Sequence, residues 1–234
     1  MISCLLSTAH RLGYVLRGSW LLRGLRSDRL FRKNGFRFGA QDMDGLTNTF
    51  RVINGMVTDG IIRSYAVAGA VAALNYIEVA STEDLDILVS IDDFQEAPSG
   101  VATLEPLFSY LRIRGYGEFK KEGVVVEGWP VQFLPVASDL DAEGLSQAVQ
   151  IEVEVGEGSA PIKISTLTPE HIVATALRIG RPKDRERILR FIEAKAVDLK
   201  VLRDVLNRHN LRVEWSKFCY RMDLPDFDES DEQE

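Results

Sequence analysis

Two aspartates separated by one leucine are the strongest candidates for chemistry in this sequence. Asp84-Leu85-Asp86 opens a β-rich apolar run that extends to Ile91 and predicts a strand. Residues i and i+2 of a strand point to the same face, about 6.7 Å apart. Asp84 and Asp86 are therefore expected to lie side by side, with Leu85 turned into the core. Such a carboxylate pair can share one Mg²⁺ or bridge two, which is the chemistry of phosphoryl-transfer sites.

The second candidate feature is the pair Gly69-Ala70, which follows a short apolar run at residues 65–68. Because glycine has no Cβ, phosphate groups can approach its backbone N–H closely. A helix that begins at Gly69 would also direct its positive dipole end at those phosphates. A simple turn that packs a helix on a strand is the other interpretation, and the sequence leaves both open.

The cysteines and histidines argue against other kinds of site. Cys4 and Cys219 lie at opposite ends of the chain, and the three histidines, His10, His171 and His209, are scattered. No spacing typical of a zinc ligand set occurs among them. A disulfide framework and a zinc site are therefore not expected. The protein is expected to be cytoplasmic.

The charge of the chain is distributed unevenly. Residues 1–42 hold eight basic and two acidic side chains, so this segment carries +6 and the remainder carries −13 of the overall −7. An acidic body does not suit tight nonspecific binding of nucleic acid. No apolar run reaches the roughly 20 residues that span a bilayer, so no membrane partner is expected. Residues 1–42 are interpreted as a basic N-terminal extension that is disordered, or as codons upstream of a true start at Met43.

Hydrophobic periodicity predicts the elements that position these residues. Apolar side chains at three- and four-residue steps predict a helix over residues 46–62, and a second helix is predicted over 104–113. Short strands are predicted at 65–68, 85–91, 124–127, 131–136, 151–155 and 162–164. The sequence therefore predicts an α+β fold: a small mixed β-sheet flanked by helices over residues 43–166. A C-terminal helical region is expected over 167–222, and an acidic disordered tail over 223–234.

Residues 65–70 (Tyr-Ala-Val-Ala-Gly-Ala) and 82–89 (Thr-Glu-Asp-Leu-Asp-Ile-Leu-Val) together resemble a known motif. It is the core motif of the DNA polymerase β-like nucleotidyltransferase superfamily. Residues 130–135 (Pro-Val-Gln-Phe-Leu-Pro) and 180–185 (Gly-Arg-Pro-Lys-Asp-Arg) are similar to recurring segments of its bacterial AbiEii-type group. Members of that group include toxins of type IV toxin–antitoxin systems. The resemblance covers roughly residues 45–215.

The resemblance implies a nucleotidyltransferase fold and a reaction. With Mg²⁺ as cofactor, such an enzyme transfers a nucleoside monophosphate from an NTP to a hydroxyl group of RNA or protein. A cognate antitoxin is an implied partner. Asp84 and Asp86 match the catalytic metal ligands. The positions that match nucleotide-binding residues are Gly69, Ala70, Thr82, Gln132 and Lys183.

Two departures from the superfamily's pattern bear on catalysis. Ala70 stands where a glycine or serine is usual, and Gln132 stands where a third carboxylate is usual. A glutamine offers a carbonyl oxygen without charge, so a second metal ion would be held less well; Glu127, at the tip of the predicted hairpin, is a possible replacement. A catalytically weakened module that binds nucleotides or another protein is therefore the alternative function, and a scaffold without a ligand is a third.

Overall fold

The computed structural model describes residues 40–79, 82–90, 103–153 and 161–227. The helices in these residues are α1 (Ala40–Thr58), α2 (Gly69–Ala73), α3 (Glu105–Ile113), α4 (Asp139–Ser146), α5 (Pro169–Ile179), α6 (Pro182–Glu193), α7 (Leu199–Arg208) and α8 (Arg212–Met222). The strands are β1 (Tyr65–Val67), β2 (Leu85–Val89), β3 (Phe119–Lys120), β4 (Gly123–Val126), β5 (Trp129–Pro135), β6 (Val149–Val153) and β7 (Ile162–Thr166).

The strands form one mixed sheet, in the order β3-β4-β5-β2-β1-β7-β6. At its centre, β2 pairs antiparallel with β1 and parallel with β5. β1 in turn pairs parallel with β7, and β6 closes the sheet on that side. The α+β class and the mixed sheet predicted from the sequence are confirmed.

Side chains of β2 point alternately to two faces, with the buried Leu88 on the same face as Asp86. Leu85, Ile87 and Val89 are fully buried, whereas Asp86 between them is partly exposed. The three apolar side chains enter the core because they share one face of the pleat, and Asp86 points to the other face. The predicted burial of Leu85 is confirmed.

Helices cover the sheet and form the C-terminal part of the molecule. The side chain of Thr168 caps α5 by accepting from the backbone N–H of His171, and α5 ends at Gly180, whose φ is 69°. Asp198 caps α7 in the same way. α5 lies at the centre of this region, since it packs against α2, α4, α6, α7 and α8. The predicted C-terminal helical region is confirmed.

The structure adds two elements, begins the first helix earlier than predicted, and continues the packed chain beyond residue 222. The sequence pattern did not indicate β3 or α4, and α1 begins at Ala40. At the other end Phe227 is buried and stacks on Trp215, with ring centroids 4.8 Å apart, so packing continues beyond Met222. Residues 1–39 and 228–234, most of the two predicted disordered ends, lie outside the described residues. None of the described helices combines the length and apolar character that a membrane-spanning helix requires.

Candidate functional site

The carboxylate of Asp86 lies directly against the backbone of Gly69. Because β1 and β2 are neighbours, the N–H of Ala68 donates to the backbone carbonyl of Asp86 at 2.9 Å, which brings the start of α2 beside β2. Gly69 adopts φ +62°, and a Cβ built on it would lie 2.0 Å from Asp86 Oδ2. Glycine is therefore required here for its left-handed backbone and for the space that the carboxylate occupies.

Asp84 and Asp86 line the same cleft, whose volume is about 720 Å³. The hydroxyl of Thr82 donates to the backbone carbonyl of Asp84 at 2.9 Å and lies 3.4 Å from its Oδ1. Asp86 accepts no side-chain hydrogen bond from the described part of the chain, although it is partly buried. Burial, and then the charge of Asp84, raise the pKa of Asp86 above its usual range. A cation between the two carboxylates would remove this penalty.

Gln132 lies beside Asp86 on the neighbouring strand. The parallel register of β2 and β5 pairs these two residues, and both line the cleft. The Nε2 of Gln132 donates to Oε2 of Glu122 at 2.9 Å, so a carboxylate from the β3–β4 turn reaches the amide. Glu127 accepts a hydrogen bond from the hydroxyl of Tyr116 and is not among the residues that line the cleft. The carboxylate that is hydrogen-bonded to Gln132 is thus Glu122, and the suggestion that Glu127 replaces the third carboxylate was wrong.

Cationic side chains from α6 and the residue before it face the aspartate pair. The charges of Arg187, Lys183 and Arg181, in that order of strength, oppose the rise in the pKa of Asp86. All three cations line the cleft. Lys183 forms no hydrogen bond or salt bridge with the residues in the four described ranges, so its ammonium group is available to a ligand.

Asp184, in the first turn of α6, also lines the cleft. Its side chain is fully buried and accepts from Arg181 Nε at 2.7 Å. On its other side, Arg187 lies 3.6 Å from Oδ1 of the same carboxylate. One buried carboxylate therefore contacts two guanidinium groups at the wall of the cleft.

The structure brings into one cleft the seven residues that the resemblance assigned to metal or nucleotide binding. These are Gly69, Ala70, Thr82, Asp84, Asp86, Gln132 and Lys183. Their roles as ligands stay predictions. The sequence reasoning missed Arg181, Arg187 and Glu122 as site residues. Arg181, Asp184 and Arg187 follow one another at three-residue spacing, which places them on one face of a helix. This spacing could have indicated the two arginines as site residues.

The donor set of the cleft fits Mg²⁺. Two carboxylates and an amide offer the oxygen ligands that this cation prefers. No group of three His, Cys, Asp or Glu side chains suited to a metal was found within the described ranges. Asp84 and Asp86 would therefore hold the ion only in part, and substrate phosphates would complete its coordination. The aspartate pair beside the turn at Gly69, with the cations at residues 181, 183 and 187 facing it, suits a polyphosphate with its metal ion.

No family model matches the sequence, and no curated protein matches it. Among solved structures, the fold is similar to an antigenic nucleotidyltransferase-like protein from Paracoccidioides brasiliensis, with a TM-score of 0.40 and 17% identity. The match covers 76% of this chain and 92% of that chain. At this identity and TM-score the match does not assign the chain to a family.

Proposed function

We propose that this protein is a Mg²⁺-dependent nucleotidyltransferase that transfers a nucleoside monophosphate from an NTP to a hydroxyl group of RNA or protein. The observation that carries the proposal is the contact of Asp86 with Gly69. It places a carboxylate pair at the glycine-lined start of α2, opposite the cations of α6. A nucleoside triphosphate needs both features, because its phosphates require close backbone N–H groups and its metal requires carboxylates.

In the proposed reaction the acceptor hydroxyl attacks the α-phosphorus of the NTP. A phosphorus–oxygen bond to the acceptor forms, the bond to the β-phosphate oxygen breaks, and pyrophosphate and a proton leave. Asp84 and Asp86 would hold Mg²⁺, which supplies charge neutralisation at the phosphates. The start of α2 would bind phosphate oxygens through backbone N–H groups. Arg181, Lys183 and Arg187 would stabilise the charge that develops on the leaving pyrophosphate.

A transfer assay tests this proposal. Labelled NTPs are incubated with Mg²⁺, total RNA and cell lysate, and the label is followed into RNA and protein. The proposal expects incorporation by the wild type and none by an Asp84→Ala/Asp86→Ala variant. Equal incorporation by the two proteins would contradict it, because the label would then come from another enzyme.

A catalytically weakened nucleotide-binding or protein-interaction module is the alternative function, and Gln132 is the observation in its favour. A neutral amide stands in register with Asp86, where a third carboxylate would strengthen metal binding. Nucleotide binding without incorporation would support the module. Gln132→Asp would place a carboxylate opposite Glu122, so the variant to test is Gln132→Asp combined with Glu122→Gln. Gained incorporation would identify the missing charge as the defect.

The resemblance of the motifs to the bacterial AbiEii-type group supports a finer proposal, that the protein acts as the toxin of a toxin–antitoxin pair in the cytoplasm. An adjacent reading frame for a small DNA-binding antitoxin is the expected observation. Growth arrest on expression of the wild type, relieved by the neighbouring gene, would test it directly. Arrest by the Asp84→Ala/Asp86→Ala variant would separate toxicity from transfer.

A further inference from the structure

The buried carboxylate of Asp184 is an unusual feature next to the cleft. It is 0% exposed, although it lies in the first turn of α6 among strongly polar neighbours. Burial of a carboxylate is costly unless charged or hydrogen-bonded partners surround it. Two arginines supply those partners, so the chain retains a buried ionic cluster beside the aspartate pair.

The contacts of Asp184 fix the orientation of Arg181. Nε of Arg181 donates to Oδ2 at 2.7 Å, and its NH2 group reaches Oδ1 at 3.4 Å. This two-point contact between a planar guanidinium and a carboxylate restricts the side chain more than a single hydrogen bond would. The backbone N–H of Arg181 also donates to Oδ2, at 3.3 Å, which ties the start of α6 to the same carboxylate.

Arg187 is held from the other side of Asp184 and is more deeply enclosed. Its side chain is 14% exposed and lies 3.6 Å from Oδ1 of Asp184. Burial lowers the pKa of Arg187, and the charges of Asp184 and then Asp86 oppose this shift. Arg187 therefore interacts with both the buried acid and the aspartate pair.

We infer that Asp184 is a positioning residue that holds the guanidinium groups of Arg181 and Arg187 beside the cleft, where they face the phosphates of a bound nucleotide. The inference rests on the proposed function. Without the carboxylate of Asp184, the two arginines would be free to pair with Asp84 and Asp86 directly. There they would compete with the metal ion. Asp184 thus keeps cations and carboxylates of the site apart, so that each binds the ligand.

The variant Asp184→Asn tests the inference because electrostatics and positioning predict opposite results. Removing a negative charge near bound phosphates makes the cleft more positive, which by itself strengthens the binding of an anionic nucleotide. Loss of the fixed arginine positions weakens nucleotide binding. We expect the Kd of an NTP with Mg²⁺ to rise by at least about tenfold in this variant. The loss should decrease from NTP to NDP to NMP, because fewer phosphates contact the arginines.

A matched control is Asp198→Asn, which changes the acid that caps α7 away from the cleft. It is expected to leave the three Kd values unchanged, whatever it does to thermal stability. An equal loss of affinity for NTP, NDP and NMP in Asp184→Asn would indicate a general structural effect and would overturn the inference. Unchanged or tighter NTP binding would overturn it as well.

A second variant decides the case in which Asp184→Asn does not fold. Arg181→Lys keeps the charge and loses the two-point geometry, so it is expected to weaken NTP binding more than NMP binding. Unchanged NTP affinity in this variant would refute the positioning role. If the wild type binds no nucleotide at all, the proposed function itself fails. If the wild type binds nucleotide but the variants lose affinity equally for NTP, NDP and NMP, only the inference is refuted.

Discussion

Oδ2 of Asp86 occupies the position of a side chain at residue 69, since a Cβ on Gly69 would lie 2.0 Å from it. Asp86 lies on β2, and Gly69 begins α2 just after the neighbouring strand β1; the hydrogen bond from the N–H of Ala68 to the Asp86 carbonyl holds the two segments together. The turn that offers backbone N–H groups and the acid that would hold a metal ion therefore form one local unit. A change at residue 69 is transmitted directly to the candidate ligand.

Gly69→Ala is expected to disrupt this unit, and Gly60→Ala is its matched control. Both glycines have positive φ, but a Cβ on Gly60 meets nothing within 4 Å. Backbone strain alone is expected to cost Gly60→Ala about 1–2 kcal/mol of unfolding free energy. Gly69→Ala should cost at least about 1 kcal/mol more because of the collision, and it should abolish Mg²⁺-dependent NTP binding. Denaturant unfolding and nucleotide titration measure the two effects. Equal results for both variants would show that Asp86 is not confined by Gly69.

Asp86→Asn is expected to change stability in opposite directions without and with the metal. Burial and the charge of Asp84 raise the pKa of Asp86, so the folded state favours its protonated form and stability falls as the pH rises through the raised pKa. At neutral pH without metal, the neutral amide should raise Tm by a few degrees. At a Mg²⁺ concentration about 100 times its Kd, the wild type should gain about 2.7 kcal/mol and the variant little. A lower Tm of the metal-free variant would contradict this account of the cleft.

Lys183→Met is expected to weaken nucleotide binding without a change in stability. The ammonium group forms no salt bridge with the residues that the structure describes, so its removal should alter the unfolding free energy by less than about 0.5 kcal/mol. The loss of a cation at the phosphates should raise the Kd of the NTP about tenfold. Lys217→Met, on the exposed surface of α8, is the control and should leave the Kd unchanged. Equal Kd values for all three proteins would remove Lys183 from the site.

Glu143→Gln tests a cluster that stabilises the helical region away from the cleft. Glu143 of α4 pairs with Arg208 of α7 and, at 2.7 Å, with His209, and hydrogen bonding to Arg208 is the main cause that lowers its pKa from 4.5 to about 2. Because the folded state binds fewer protons than the unfolded state in this range, the stabilisation is present above pH 4.5 and is lost as the pH falls toward 2.

The wild type should therefore exceed Glu143→Gln by at least about 1 kcal/mol in unfolding free energy at neutral pH. This difference in unfolding free energy should decrease as the pH is lowered from 4.5 toward 2. Thermal or denaturant unfolding at a series of pH values measures it. A difference that does not depend on pH would assign the effect of the substitution to packing. NTP binding should be similar in both proteins, because Glu143 does not line the cleft.

Much of the candidate site followed from local sequence patterns. Asp84 and Asp86 share a face because a strand alternates, and this needs no knowledge of the remaining chain. Helix boundaries such as Thr168-Pro169 and Gly180 were also readable, since capping chemistry is local. α4 was not indicated because its sequence, Asp-Leu-Asp-Ala-Glu-Gly-Leu-Ser, contains few apolar positions and a glycine.

The parts of the site that the sequence did not indicate depend on tertiary contacts. Asp184 is buried where α6 docks against α5, and an acid in a first helical turn is otherwise solvated. Glu122 reaches Gln132 because β4 and β5 pair in a particular register. In both cases the residues are close because of tertiary packing. A sequence pattern along one strand or helix does not predict such contacts.

Isothermal titration of the wild type and the Asp84→Ala/Asp86→Ala variant with an NTP, in the presence and absence of Mg²⁺, tests the central claim most directly. The wild type is expected to bind the NTP with Mg²⁺ and much more weakly without it, and the variant is expected to lose the Mg²⁺-dependent part. Circular dichroism serves as the check that the variant is folded. Absence of binding by the wild type, or unchanged Mg²⁺-dependent binding by the folded variant, would contradict the claim that the two aspartates hold the metal of a bound nucleotide.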